Sequence, residues 1–296
     1  MISRVDVVGA QLDVGASRRG VSMGPLAIRF AGLCEGIQKL GYELADKGDI
    51  IQLADGAGRD TLRNYEQVID VGRKLFDAVT RTLETGGFPV VLGGDHSIAA
   101  GTVAATVNHY KNIGLIWMDA HGDWNNEEST LSGNMHGMPF SAVCGGGPME
   151  MVDFGQGPVF VDPKKCVQIG GRDIAPAERI RIRESGVTVF SIARIDSMGM
   201  EAVMEEAIRI AGTDTAGIHL SFDVDAITPE SAPGTGTIVH SGLTVREAFL
   251  GVEMLAASNK LIAVDMVEVN PILDEKNQTG ILASELILAA LGKVVY

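Results

Sequence analysis

Cysteine is scarce. The three in this chain of 296 residues, Cys34, Cys144 and Cys166, are odd in number and far apart, and none stands in a C-x-x-C or zinc-finger spacing. That argues against a disulfide framework and suits a reducing compartment, so a cytoplasmic location is expected. Long apolar runs are also missing. No window reaches the roughly 18 uninterrupted apolar residues that a membrane span needs, and MISRVDVVGA at the N-terminus holds too short an apolar stretch for a signal peptide. No membrane partner is therefore expected. Positive charge is the third shortage: 24 Lys and Arg stand against 38 Asp and Glu, for a net charge of −14 with no basic run. Such a surface repels phosphate backbones and argues against nucleic acid as a partner, whereas a cationic small molecule would be drawn in.

Apolar residues are plentiful, at 46%, and they come in short β-branched runs. Strands are expected at 5–9, 49–53, 88–94, 113–119, 165–171, 187–192, 217–223 and 261–269. Most of these runs are continuously apolar rather than alternating, as in strands covered on both faces. Helical patterns fall between them at 25–40, 65–84, 98–110, 176–184, 201–211, 244–257 and 280–291, with Pro25 and Pro176 placed where a first turn begins. Alternating strands and helices imply a mostly parallel sheet with helices on both faces, a three-layer α/β/α sandwich. No repeat or Pro/Ser-rich linker divides the chain, so one domain over 1–296 is expected. The longest irregular stretch, 125–164, is rich in Gly and Pro, and a loop of that length is usually functional or mobile.

In open α/β sheets ligands gather beyond the carboxyl ends of the strands. This chain places Asp95 and His96 after FPVVLGG, Asp119, His121 and Asp123 after IGLIWM, Asp223 and Asp225 after GIHLSF, and Glu268 after LIAVDMV. Each motif alone has a bland reading: Asp95 or Ser97 could cap the next helix, and a D-x-D after a strand is often a solvated turn. Together they are harder to dismiss, because carboxylates brought close repel one another unless a cation neutralises them. Four carboxylates and two imidazoles with no thiolate favour a hard ion, Mn²⁺ above Zn²⁺. Six ligands are generous for one ion and suit a binuclear site.

At these residues the chain resembles the ureohydrolases, and within them the arginases. GGDHS (93–97), DAHGDWN (119–125), SFDVDAITP (221–229) and MVEVNPILDEKN (266–277) are similar to that family's motifs, as are RRGVSMGP (18–25) and the arginase form of SGNMHGMP (132–139). The resemblance implies an eight-stranded parallel α/β/α sandwich and two Mn²⁺ per subunit. Asp119 and Asp223 would bridge the ions, His96 and Asp123 would complete one shell, and His121 and Asp225 the other. A hydroxide bridging the pair would attack the guanidinium of L-arginine, releasing L-ornithine and urea. Glu268 matches the Glu that contacts the guanidinium, and His136 would relay protons to the leaving amine. Asn125, Ser132 and Asn134 match substrate-binding residues, the first two at the α-carboxylate. Glu178 matches a residue facing the amino end, and Thr237 one near the hydroxide or product. A homotrimer or homohexamer is implied, with a small guanidino molecule as partner. His109, His219 and His240 receive no role.

At one place the pattern departs from the family. An Asp that reads the substrate's α-ammonium is expected in the loop after IGGR, and Ala175 stands there instead, with Asp173 and Glu178 nearby. Its loss should weaken α-amino recognition by about 1–3 kcal/mol. This opens an alternative substrate without the α-amino group, such as 4-guanidinobutanoate. A single-zinc deacetylase of similar fold and a non-catalytic binding protein are the readings from other classes.

Overall fold

The computed structural model describes residues 2–294. The expected domain at 1–296 also takes in Met1, Val295 and Tyr296, which lie outside the described residues. In chain order the elements are β1 (Arg4–Gln11), α1 (Gly24–Phe30), α2 (Leu33–Lys39), β2 (Glu43–Ile51), α3 (Tyr65–Glu84), β3 (Phe88–Leu92), α4 (Ala99–Tyr110), β4 (Gly114–Met118), α5 (Pro139–Val143), β5 (Cys166–Ile169), α6 (Pro176–Ser185), β6 (Thr188–Phe190), α7 (Ile192–Met198), α8 (Met200–Gly212), β7 (Ile218–Asp223), α9 (Val245–Ala257), β8 (Leu261–Val267) and α10 (Gln278–Ala290).

The eight strands form one sheet in the order β2-β1-β3-β8-β7-β4-β5-β6, and every neighbouring pair is parallel. Because successive strand side chains point to opposite faces, single strands feed both layers. Ile116 and Met118 of β4 join Val203, Val252 and Leu286 of α8, α9 and α10 on one face. Leu115 and Trp117 join Leu75 and Val103 of α3 and α4 on the other. The expected α/β/α sandwich is what the chain forms.

Register fixes where the strands end. Leu92 pairs with Met266, Met266 with Phe222 and Phe222 with Met118, a row across the four central strands. Residues just beyond that row emerge at one level.

Several boundaries differ from the sequence expectation. The helix expected over 25–40 is two, broken at Gly32, whose φ of 91° is left-handed. β2 begins at Glu43 rather than 49; as an edge strand it tolerates the exposed charges of Glu43, Asp46 and Lys47, which masked its pattern. The strand expected over 187–192 stops at Phe190 because Ser191 precedes α7. α5 and α7, five and seven residues long, escaped notice because a periodicity needs more turns to show.

Helix α9 is fixed at its start by a side-chain cap. Thr244 accepts from the Glu247 amide (3.2 Å) and Glu247 accepts from the Thr244 amide (2.8 Å), a reciprocal cap. In denaturant titrations Thr244→Ala should lower stability by about 1 kcal/mol, and Leu255→Ala, fully buried in the same helix, by about 2–5 kcal/mol.

Candidate metal centre

The four central strands, β3, β8, β7 and β4, deliver the acidic and imidazole groups that the sequence places at strand ends. Asp119, Asp223 and Asp225 are almost fully buried, as are His96 and Asp123. The His96 Nδ1 atom lies 3.1 Å from Asp119 Oδ2, 3.1 Å from Asp123 Oδ2 and 3.3 Å from Asp223 Oδ2. The His121 Nδ1 atom lies 3.0 Å from Asp225 Oδ2 and 3.4 Å from Asp119 Oδ1. Two ligand clusters result, His96–Asp119–Asp223 and Asp119–His121–Asp225, and Asp119 belongs to both. All six expected ligands come together.

Local chemistry holds these groups in place. Asp95 caps the turn at 96–98 by accepting from the Ser97 amide, the capping role the sequence allowed, and also accepts from the Gly15 amide at 2.8 Å. Gly94 must be glycine, because a Cβ there would lie 1.7 Å from the Leu12 carbonyl oxygen. Asp223 Oδ1 accepts from the Asp225 amide (2.8 Å) and Asp225 Oδ1 from the Ala120 amide (3.1 Å), tying the β7 turn to the β4 turn. Asp123 (φ 48°) and Glu268 (φ 63°) both hold left-handed backbone conformations. Non-glycine residues keep such angles at a cost of about 1–3 kcal/mol and only where the surroundings enforce them.

The donor set fits divalent cations. His96 Nδ1 and Asp123 Oδ2 are buried without a hydrogen bond, although they face one another. Buried polar atoms are ordinarily satisfied, so orphans that converge on a common point are suited to an ion. His96 Nε2 stands 2.9 Å from the Ser221 hydroxyl. Donating there leaves Nδ1 with a free lone pair, the usual way a second hydrogen bond sets the ligating nitrogen. The imidazole also stacks on Trp117 (centroids 4.1 Å), which stacks on Phe140 (4.8 Å), and Trp117 Nε1 donates to Asp119 at 3.0 Å. Sequence reasoning missed Trp117, Phe140 and Ser221: the Ser221 and Trp117 contacts to His96 and the Phe140 stack on Trp117 join distant segments, and the local Trp117 bond to Asp119 lay hidden in an apolar strand.

Without cations the charges resolve themselves with protons. Burial, with Asp225 and Asp119 beside it, pushes Asp223 well up. Burial and Asp119 push Asp123 up to about 7. Burial opposes ionisation of Asp119 too, but its His121 and His96 neighbours hold it low. His96 and His121, despite burial, are raised well above the usual imidazole range by the surrounding carboxylates.

Five of the six expected ligands, all but the fully buried Asp119, line a cavity of about 160 Å³ together with Asn125, Thr130, Ser132, Asn134, His136, Asp173, Glu178, Thr237 and Glu268. Glu268 Oε1 accepts from the His96 amide (2.9 Å) and sits 3.0 Å from His136 Nδ1. Burial disfavours a cationic His136, yet Glu268 raises it to about 9. Glu178 accepts from the Trp124 amide (3.0 Å) and the Ala175 amide (3.2 Å), and burial raises its pKa. It thus ties the β4 turn to the start of α6. Ala175 is exposed at that start, and Asp173 is exposed on the cavity wall. His219 is buried against Asp265 and Thr106, away from the cavity.

The chain matches the model of the arginase family over residues 3–292. It is 42% identical over 293 residues to an arginase of Bacillus caldovelox, covering 98% of each chain. The crystal structure of an arginase from Bacillus cereus superposes with a TM-score of 0.93 at 45% identity, over 99% of this chain and 100% of that one. An Entamoeba histolytica arginase solved in complex with L-ornithine gives a TM-score of 0.90 at 29% identity, over 99% of each.

Stripping divalent ions with a chelator should lower the melting temperature, more at pH 8 than at pH 6. The folded metal-free protein holds the Asp123 proton up to about pH 7, whereas an unfolded Asp releases it near 3.9. The folded state therefore binds more protons in that window, and the metal-free protein loses stability as pH rises through it. Calorimetry with and without chelator at the two pH values measures the difference.

Proposed function

Because the chain belongs to the arginase family, hydrolases acting on the C–N bond of linear amidines, we propose that it hydrolyses L-arginine to L-ornithine and urea with two Mn²⁺ ions per subunit. The observation carrying this reading is the pair of ligand clusters joined through Asp119, with Glu268 and His136 on the same cavity wall. His96, Asp119, Asp123 and Asp223 would hold one ion, and Asp119, His121, Asp223 and Asp225 the other. When bound, the ions lower the pKa of water towards neutrality and so furnish hydroxide for attack on a resonance-stabilised carbon. The ureohydrolase would act as a homotrimer or homohexamer in the cytoplasm, in arginine breakdown such as the urea cycle.

The chain's own residues supply the rest. Glu268 receives the guanidinium through paired, charge-assisted hydrogen bonds. As the C–O bond forms and the C–N bond breaks, the departing amine needs a proton. His136, cationic at neutral pH beside Glu268, is placed to give it. Asn125 and Ser132 would present neutral donors to the α-carboxylate; Asn134 and Thr237 line the same cavity, Thr237 being the residue expected near the hydroxide or product. L-ornithine bound to the Entamoeba histolytica arginase supports the product side of this reading.

One observation favours a second substrate. Ala175 has no carboxylate, and Glu178 already serves two backbone amides, so the α-ammonium finds fewer partners. A deaminated guanidino acid such as 4-guanidinobutanoate needs none. Steady-state rates on L-arginine, 4-guanidinobutanoate and agmatine with Mn²⁺ decide between them: arginine should be fastest, and arginine slowest of the three ends the arginase reading. Elemental analysis should find two metals per subunit; one zinc would favour the deacetylase chemistry instead.

Two substitutions test the roles. His136→Asn should lower kcat by about 10²–10⁴-fold, the contribution of a positioned acid. Glu268→Gln should lower kcat/KM by about 10–150-fold, equivalent to ~1.5–3 kcal/mol for a lost charged hydrogen-bond partner. Both should retain their metals.

A further inference from the structure

The segment 53–64, between β2 and α3, carries none of the strand-end chemistry, yet it is built against the outer wall of the cavity. Leu62 is buried and roots it in the core. Arg59 and Leu62 exchange both backbone hydrogen bonds (2.9 and 2.7 Å), closing a tight turn. From this turn three contacts reach the chain at 126–133. The Arg63 amide donates to the Gly133 carbonyl (2.9 Å), Thr61 Oγ1 donates to the Glu127 carbonyl (3.2 Å), and Arg59 Nη2 pairs with the Glu127 carboxylate (3.4 Å). The other terminal nitrogen of Arg59 donates to Glu150 (2.5 Å) and to the Tyr65 hydroxyl (2.9 Å), with the guanidinium 4.8 Å from the Tyr65 ring centroid. Gly133 sits so close that a Cβ would lie 2.1 Å from the Thr61 carbonyl oxygen.

Residues 125–134 contain no helix or strand, but they contribute Asn125, Thr130, Ser132 and Asn134 to the cavity. Local bonds among Asn125, Asn126, Ser129, Thr130 and Gly133 shape their turns, and contacts from 53–64 hold those turns against the rest of the chain. We infer that Arg59 is a positioning residue for the substrate: through Glu127 and Glu150 it holds the 126–133 wall where Ser132 meets the substrate's anionic end. This rests on the proposed function. The planar guanidinium can bind carboxylates from two segments at once and stack on an aromatic ring, which an ammonium does less well. Without it the wall samples more conformations, the binding-competent fraction falls, and the apparent KM rises in proportion. The metal ligands, Glu268 and His136 are held by separate contacts, so turnover at saturation stays.

The test uses the full-length, Mn²⁺-loaded protein. Arg59→Ala should raise KM about three- to tenfold while leaving kcat and metal content unchanged, and Arg59→Lys should recover part of the loss. Adding Glu127→Gln to Arg59→Ala should bring little further change, because the pair is already broken. Amide hydrogen exchange over 126–133, measured without substrate, should quicken in Arg59→Ala. An unchanged KM, unchanged exchange, or a fall in kcat together with metal content would overturn the inference. Wild-type protein inactive on every guanidino acid would overturn the function instead, and the exchange measurement would still decide whether Arg59 holds the wall.

Discussion

Like charges buried side by side repel far more strongly than they do in water, and Asp119, Asp123, Asp223 and Asp225 are buried together. The surrounding structure answers that repulsion at each turn. Backbone amides point at the carboxylates, imidazoles stand among them, and Trp117 donates to Asp119. The left-handed angle at Asp123 is secured by the Ser141 amide on its carbonyl, and that at Glu268 by its own amide on the Gly94 carbonyl. Strain at these two residues is the cost of aiming two carboxylates inward, and neighbouring segments over-determine it.

The layer around the ligands divides the labour. Ser221, Trp117 and Phe140 fix the orientation of one imidazole from behind, by a hydrogen bond and by stacking. On the cavity side, His136 Nδ1 stands 3.0 Å from Glu268 Oε1, the pair that the proposed reaction would set against a guanidinium. Glu178 works as a brace between the β4 turn and α6, and Asp173 and the irregular wall line the rest of the cavity.

Much of this was legible in the sequence because it is local. Covered strands announce themselves as apolar runs, and ligands that follow directly after such runs, as in DAHGD, are visible as soon as strand ends are inspected. Convergence of the four ends was an inference from topology, and the contiguity of β3, β8, β7 and β4 bears it out. What escaped was either too short or too distant. The edge strand β2 lacks an apolar pattern because one side meets solvent, α5 and α7 are too brief for a period to emerge, and Gly32 divides a stretch whose apolar spacing continues past it. Ser221 lay inside a recognised motif, but its partner is 125 positions away in the chain. Glu178 was noticed, although its tie to the Trp124 amide spans 54 positions and cannot be seen in one dimension.

The level row Leu92–Met266–Phe222–Met118 makes the centre a gauge of correct assembly. A slip of β7 by one position would shift Asp223 by about 3.3 Å and turn its side chain to the opposite face, dismantling both clusters at once. Ion capture thus rewards only the native alignment of the inner strands, whereas the outermost ones can drift in length and composition without the centre registering it.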